Sequence, residues 1–175
     1  MTAHIWRYII DRIEALIAPG VARDLASSDD MALRALKQEA SAVENAVSYY
    51  RRLAQGRLEI IAAERDRRAR GGSVAELVDA LPQILGADGP RGAASNSRLV
   101  EPDLAIADLA WPDGRERLAT GDGELALPLL SATDLEETAE RLQAFERELS
   151  DDRHRLHGVI DAVEHEIATR AAATI

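Results

Sequence analysis

The sequence predicts an all-α protein: a long antiparallel two-helix coiled-coil hairpin with short accessory helices and an irregular connecting segment. Three observations predict it. Ala, Leu, Glu and Arg dominate the 175 residues, and all four are strong helix formers. Glycine and proline crowd into a few stretches and leave two long windows, 31–70 and 133–172, almost free of both. Each window carries apolar residues at the alternating four- and three-residue steps of a coiled-coil seam.

In chain order, residues 1–20 hold an amphipathic helix over 3–18, with Ile5, Ile9, Ile13, Leu16 and Ile17 on one face and Pro19-Gly20 as its stop. Two readings of it stay open, a cover for the core and a docking arm for another protein. Ser27-Ser28-Asp29-Asp30 is a helix-start cluster. It opens segment 28–70, whose seam is Leu36, Ala40, Val43, Val47, Tyr50, Ala54, Leu58 and Ile61. At about 1.5 Å per residue such a helix reaches roughly 60 Å, and so narrow a seam requires a partner helix. Gly71-Gly72 ends it.

Segment 71–132 begins with a capping box, Ser73 to Glu76, and a short helix to Leu85 that tolerates Pro82. Its apolar face is Leu77, Leu81, Ile84 and Leu85. From 86 to 132 the chain reads as a long connection with apolar anchors at Leu104, Ile106, Leu109, Trp111 and Leu127 to Leu130. A second capping box, Thr133 to Glu136, opens segment 133–172. Its seam is Leu135, Leu142, Phe145, Leu149, Leu156, Val159 or Ile160, Val163 and Ile167.

Composition removes several functions. There is no cysteine, so disulfides, thiol chemistry and thiolate zinc sites are excluded. No apolar run approaches the roughly 20 residues needed to cross a bilayer, and the N-terminus does not read as a signal peptide. The expectation is a cytoplasmic monomer with no membrane or DNA partner.

The chemistry lies on the helix flanks. Glu44, Ser48, Arg51, Gln55 and Glu59 step by four, three, four and four. At about 100° per residue they occupy an arc of roughly 80°, a polar ribbon along one face. Glu146, Ser150, Arg153, His157 and Asp161 repeat that spacing, each 102 residues after its counterpart, in register with the seam. Each ribbon lies about 100° from its own seam, rotated in the same sense. In a parallel pair the ribbons would face opposite sides; only an antiparallel hairpin puts both on one side. Arginine reads guanine O6 and N7 with two donors and also pairs with phosphate. Carboxylates accept from the guanine N1–H and amino group, and Ser, Gln and His can bond phosphate or ribose. A two-fold, guanine-containing, phosphate-bearing ligand fits. A solvated flank laced with ion pairs three and four residues apart is the plainer reading of one ribbon; the in-register duplicate argues against it.

At these residues the chain resembles the RsiG-type anti-sigma factors of actinobacteria, often labelled aerial mycelium formation proteins, whose signature is Glu-x3-Ser-x2-Arg-x3-Gln-x3-Asp. The run SYYRRLAQGRLEII is similar to the family's central stretch, and ELVDALPQIL also looks family-like. The resemblance implies two motifs on an antiparallel coiled coil that bind a pair of intercalated cyclic di-GMP molecules. It implies in turn that the loaded hairpin sequesters a sigma factor of the WhiG type. Carried over, the ligand-binding residues are Glu44, Ser48, Arg51, Gln55, Glu59, Glu146, Ser150, Arg153, His157 and Asp161. Glu59 and His157 depart from the signature, which has Asp and Gln at those positions.

The alternative is a nucleotide-independent helical-hairpin adaptor that binds protein through its seam and flanks. An enzyme is the weakest reading. His154, His157 and His165 share one helix, but no nucleophile motif, phosphate loop or HExxH pattern is present. Neither catalytic residues nor a metal or cofactor is expected.

Overall fold

Two long helices form the frame, as their composition and seams require. The computed structural model describes residues 7–86, 116–120 and 127–173. In order they form α1 (Arg7–Ile17), α2 (Pro19–Asp24), a 3-10 turn (Leu25–Ser27), α3 (Asp30–Arg70) and α4 (Val74–Gly86). Then come α5 (Glu116–Thr120), a second 3-10 turn (Leu127–Leu129) and α6 (Ala132–Ala173). The long pair, α3 and α6, packs closely as a helical hairpin, and the described residues contain no strand.

The ends of the long helices show why they begin and stop where they do. Asp29 caps α3, its Oδ1 accepting the Ala32 N–H at 2.7 Å. At the other end Gly71 takes φ +69, a left-handed conformation that glycine adopts without steric cost. The Gly72 N–H then returns to Arg67 O at 3.0 Å and the Gly71 N–H to Arg68 O at 3.1 Å, the paired bonds of a Schellman ending. The capping box at α4 forms as read: the Glu76 N–H donates to Ser73 Oγ at 3.4 Å and the Ser73 N–H to Glu76 Oε1 at 3.3 Å. The cap of α6 differs from expectation. Ser131, two residues before Thr133, takes the role: its N–H and hydroxyl donate to Asp134 Oδ2 at 3.3 and 2.7 Å, and Ser131 Oγ accepts the Asp134 N–H at 3.1 Å. An aspartate at the third helical position closes the box as a glutamate would. Pro19 has a second part: α1 stops at Ile17, with Ala18 extended at ψ 140 ahead of the proline, and Pro19 then opens α2, where its missing N–H costs nothing.

The chain divides into two compact units, and both long helices contribute to each. The first contains α1, α2, α3 as far as Tyr49 and α6 from Glu148. Leu25, Leu33 and Val163 form a core there, with Leu36, Val159, Ala162 and Ile167 packed against it. Ile9, Ile13 and Leu16 of α1 are buried, and Arg12 pairs with Glu39 of α3 at 3.2 Å. Of the two readings of the N-terminal helix, the described part of it therefore matches the core cover. In this unit Asp30 pairs with Arg170, Lys37 with Glu164 and Ser48 with Arg153, so α3 and α6 run antiparallel. The second unit contains α3 from Tyr50, α4, α5 and α6 as far as Arg147. Its core includes Tyr50, Ala54, Ile61, Leu77, Leu118, Leu127, Leu135, Leu142 and Phe145. Gln55 with Glu146 and Arg65 with Glu136 give the same antiparallel direction.

Most of the expected seam is buried, each large side chain contributing about 1.5–3 kcal/mol. Leu36, Leu58, Val159, Ile160 and Ile167 are half-buried, while Leu33 and Ala46, outside the expected seam, are fully enclosed. Of the expected anchors, Leu127 is buried in the 3-10 turn and Leu129 is 73% exposed. Ile5, Leu104, Ile106, Leu109 and Trp111 lie outside the described residues.

The offset of 102 extends well past the polar ribbons. It relates the buried pairs Leu25 and Leu127, Leu33 and Leu135, the caps Asp29 and Ser131, and a clasp near the end of each long helix. In the first unit Arg170 bonds Glu166 at 2.8 Å and donates to Ser28 O at 2.7 Å and Leu25 O at 2.9 Å. In the second, Arg68 bonds Glu64 at 2.6 Å and donates to Leu127 O at 3.0 Å and Leu130 O at 2.9 Å. Each clasp adds a second bond to the first carbonyl of a 3-10 turn, Leu25 O or Leu127 O, which also accepts the N–H three residues on, and engages the carbonyl just after that turn, Ser28 O or Leu130 O.

Candidate functional site

In each motif, steps of four, three, four and four residues place successive positions about one turn apart on one face. Antiparallel pairing then sets the first position of one motif against the fourth of the other, and the second against the third.

The first unit shows this around Glu44, whose side chain is only 13% exposed. Glu44 Oε1 accepts the Ser48 hydroxyl at 2.7 Å and Arg153 Nε at 3.0 Å. Arg153 Nε also donates to the buried Ser48 Oγ at 3.0 Å. His157 Nε2 lies 3.2 Å from the same glutamate oxygen but outside hydrogen-bonding geometry, although the atom is buried. Arg153 and His157 keep 41% and 43% of their side chains exposed, so the cluster opens to solvent through them.

The second unit repeats the arrangement around Glu146. Gln55 Nε2 donates to Glu146 Oε1 at 2.9 Å, and Arg51 Nη1 stands 3.6 Å from that oxygen. Arg51 Nε is buried with no hydrogen-bond partner among the described residues. Seven of the ten expected residues thus meet across α3 and α6, four in one unit and three in the other. Of the remainder, Ser150 and Glu59 are half-buried and Asp161 is exposed on α6.

Sequence reasoning overlooked one ionic centre. Glu64 is fully buried in the second unit, held by Arg67 through two bonds of 2.7 Å and by Arg68 at 2.6 Å. The hydrogen bonds from Arg67, opposed by burial and aided by Arg68, lower its pKa from 4.5 to about 2. Arg67 reaches on to Gly72 O at 2.6 Å, so this centre fixes the α3–α4 corner. The signal was available: Glu64 and Arg68 recur as Glu166 and Arg170 at the motif's own offset.

The arrangement presents guanidinium, hydroxyl, amide and imidazole donors around two acids, and the stretch of α3 that carries half of it is similar to a known family. Residues 19–85 match the RsiG-like family model. The matched range runs from the start of α2 into α4 and includes the whole first motif. The second motif lies on α6, beyond that range, and stands on the repeat and the contacts above. The RsiG-like match suggests an anti-sigma-factor type of role. No curated protein and no solved structure matches the chain.

Proposed function

We propose that this protein is an anti-sigma factor that binds two molecules of cyclic di-GMP and sequesters a WhiG-like sigma factor, without catalysing a reaction. One observation carries the reading: Glu44 and Ser48 of α3 meet Arg153 and His157 of α6 in one partly open polar cluster. Each of these residues is a position of the duplicated motif. Arg153, with Arg51 in the other half, supplies the two-pronged donor that a guanine Hoogsteen edge accepts. The glutamates and Asp161 supply acceptors for the Watson–Crick edge, while Ser48, Ser150, Gln55 and His157 serve phosphate or ribose. Glu59, one methylene longer than the signature aspartate, completes the first ribbon. Bound ligand would fix the spacing of the helices and add its own surface to the face the sigma factor meets. The net charge of −10 suits a partner whose own surfaces bind DNA.

Arg153→Ala tests the reading. Losing a charged, two-pronged contact is expected to weaken cyclic di-GMP binding by about 10- to 100-fold in titration calorimetry. Unchanged affinity would remove Arg153 from the site. If Arg51→Ala and Arg153→Ala both leave sigma-factor capture intact, the protein is instead a nucleotide-independent adaptor.

A further inference from the structure

The two motif copies differ at the fourth position, Gln55 in one and His157 in the other, and the order of contacts around the facing glutamate differs with them. In the glutamine half, Gln55 holds Glu146 Oε1 at 2.9 Å while Arg51 stands off at 3.6 Å. In the histidine half the order is reversed. Arg153 holds Glu44 Oε1 at 3.0 Å, and His157 Nε2 waits 3.2 Å away without a hydrogen bond. Ser48 already donates to that oxygen at 2.7 Å. A carboxylate oxygen offers about two lone-pair sites, so the third donor goes unserved. In the histidine half, Arg153 and His157 therefore compete for one glutamate oxygen, and His157 is left beside it without a bond.

We propose that His157 is a protonation-controlled latch on Arg153, a device that rests on reading this face as an anion-binding nucleotide site. Neutral His157 leaves Glu44 to Arg153. Protonated His157 donates from both ring nitrogens and carries a full charge, so it takes Glu44 and releases the Arg153 guanidinium toward a ligand. The charged group facing the imidazole from α3 is Glu44. On α6 the charged neighbours one turn away are Arg153 and the exposed Asp161, with His154 beside Arg153. The next charges along the pair, Lys37 and Glu164, neutralise each other at 2.8 Å. Histidine is the side chain that changes charge between about pH 5 and 8, whereas the Gln55 amide does not titrate. The two halves of the site thus respond differently to acid: binding of an anionic dinucleotide tightens as pH falls, through the histidine half alone.

Calorimetry on the full chain with cyclic di-GMP, at about pH 8 and about pH 5.5, tests this. Wild type is expected to bind at least about fivefold tighter at the lower pH, His157→Gln to show a ratio within about twofold, and His154→Gln to keep the wild-type ratio. A His157→Gln variant that retains the wild-type ratio overturns the latch. A second readout needs no ligand. The Arg153 Nε–H resonance, assigned by its loss in Arg153→Lys, is expected to move with the His157 ring titration in wild type and to stay still in His157→Gln. An Arg153 resonance indifferent to pH across that range also overturns the latch. If wild type binds no cyclic di-GMP at either pH, the nucleotide reading fails, and the resonance alone decides whether His157 controls Arg153.

Discussion

Glu44 gathers donors from both long helices and Glu146 of α6 meets Gln55 and Arg51 of α3, while Glu64 gathers two arginines within α3 and is sealed from solvent. A buried carboxylate is tolerated only when its oxygens are fully engaged, and Glu64 has three bonds of 2.6–2.7 Å. Glu64→Gln is expected to cost about 2–3 kcal/mol at neutral pH in urea melts, since Arg67 and Arg68 lose their counter-charge. The acid dependence follows from the lowered pKa. The native state holds the Glu64 proton more weakly than the unfolded chain, so its contribution is complete above pH 4.5 and fades as pH falls toward about 2. Wild type and Glu64→Gln should converge in stability over that window; a constant gap would mean that the Glu64 charge is not what stabilises the corner. Unless the 102-residue offset is followed past the polar motifs to Glu166 and Arg170, Glu64, Arg67 and Arg68 look like any solvated i,i+3 and i,i+4 set. What distinguished them was burial by other elements.

The helices themselves were far more legible. Their length, the seam residues and the Gly71-Gly72 ending follow from periodicity and backbone freedom, and the fold has them where those rules put them. The start of α6 was placed two residues late because Thr133 to Glu136 and Ser131 to Asp134 both satisfy the capping-box pattern. The structure resolves the tie in favour of the serine, whose upstream neighbours already turn in a 3-10 conformation. Ser131→Ala is therefore expected to lower stability by about 1 kcal/mol, and Thr133→Ala by less than about 0.5 kcal/mol. Thermal melts of the two variants distinguish the caps, and the reverse ranking would return the start to Thr133. Leu58, after the irregular step at Ala54, is half-buried; Leu33, three residues before Leu36, extends the four-three seam by one step and packs with Leu25 and Val163, and Ala46, which that seam passes over, is enclosed as well.

For the molecule as a whole, duplication is the property that ties fold to function. One offset relates the buried leucines, caps, clasps and polar motifs of α3 and α6, and antiparallel pairing converts the repeat into facing donors and acceptors. Among the described residues no helix is long and apolar enough to cross a membrane. The ribbon was legible in the sequence because its spacing and its copy are both linear features. Which donor holds which glutamate was not, because that depends on register between helices distant in sequence. The proposal that these facing motifs bind cyclic di-GMP is tested most directly by titration calorimetry of the folded full chain with that nucleotide at physiological salt. Saturable heat with two nucleotides per chain, weakened by Arg153→Ala, is the expected result. A folded chain that gives no heat of binding would contradict it.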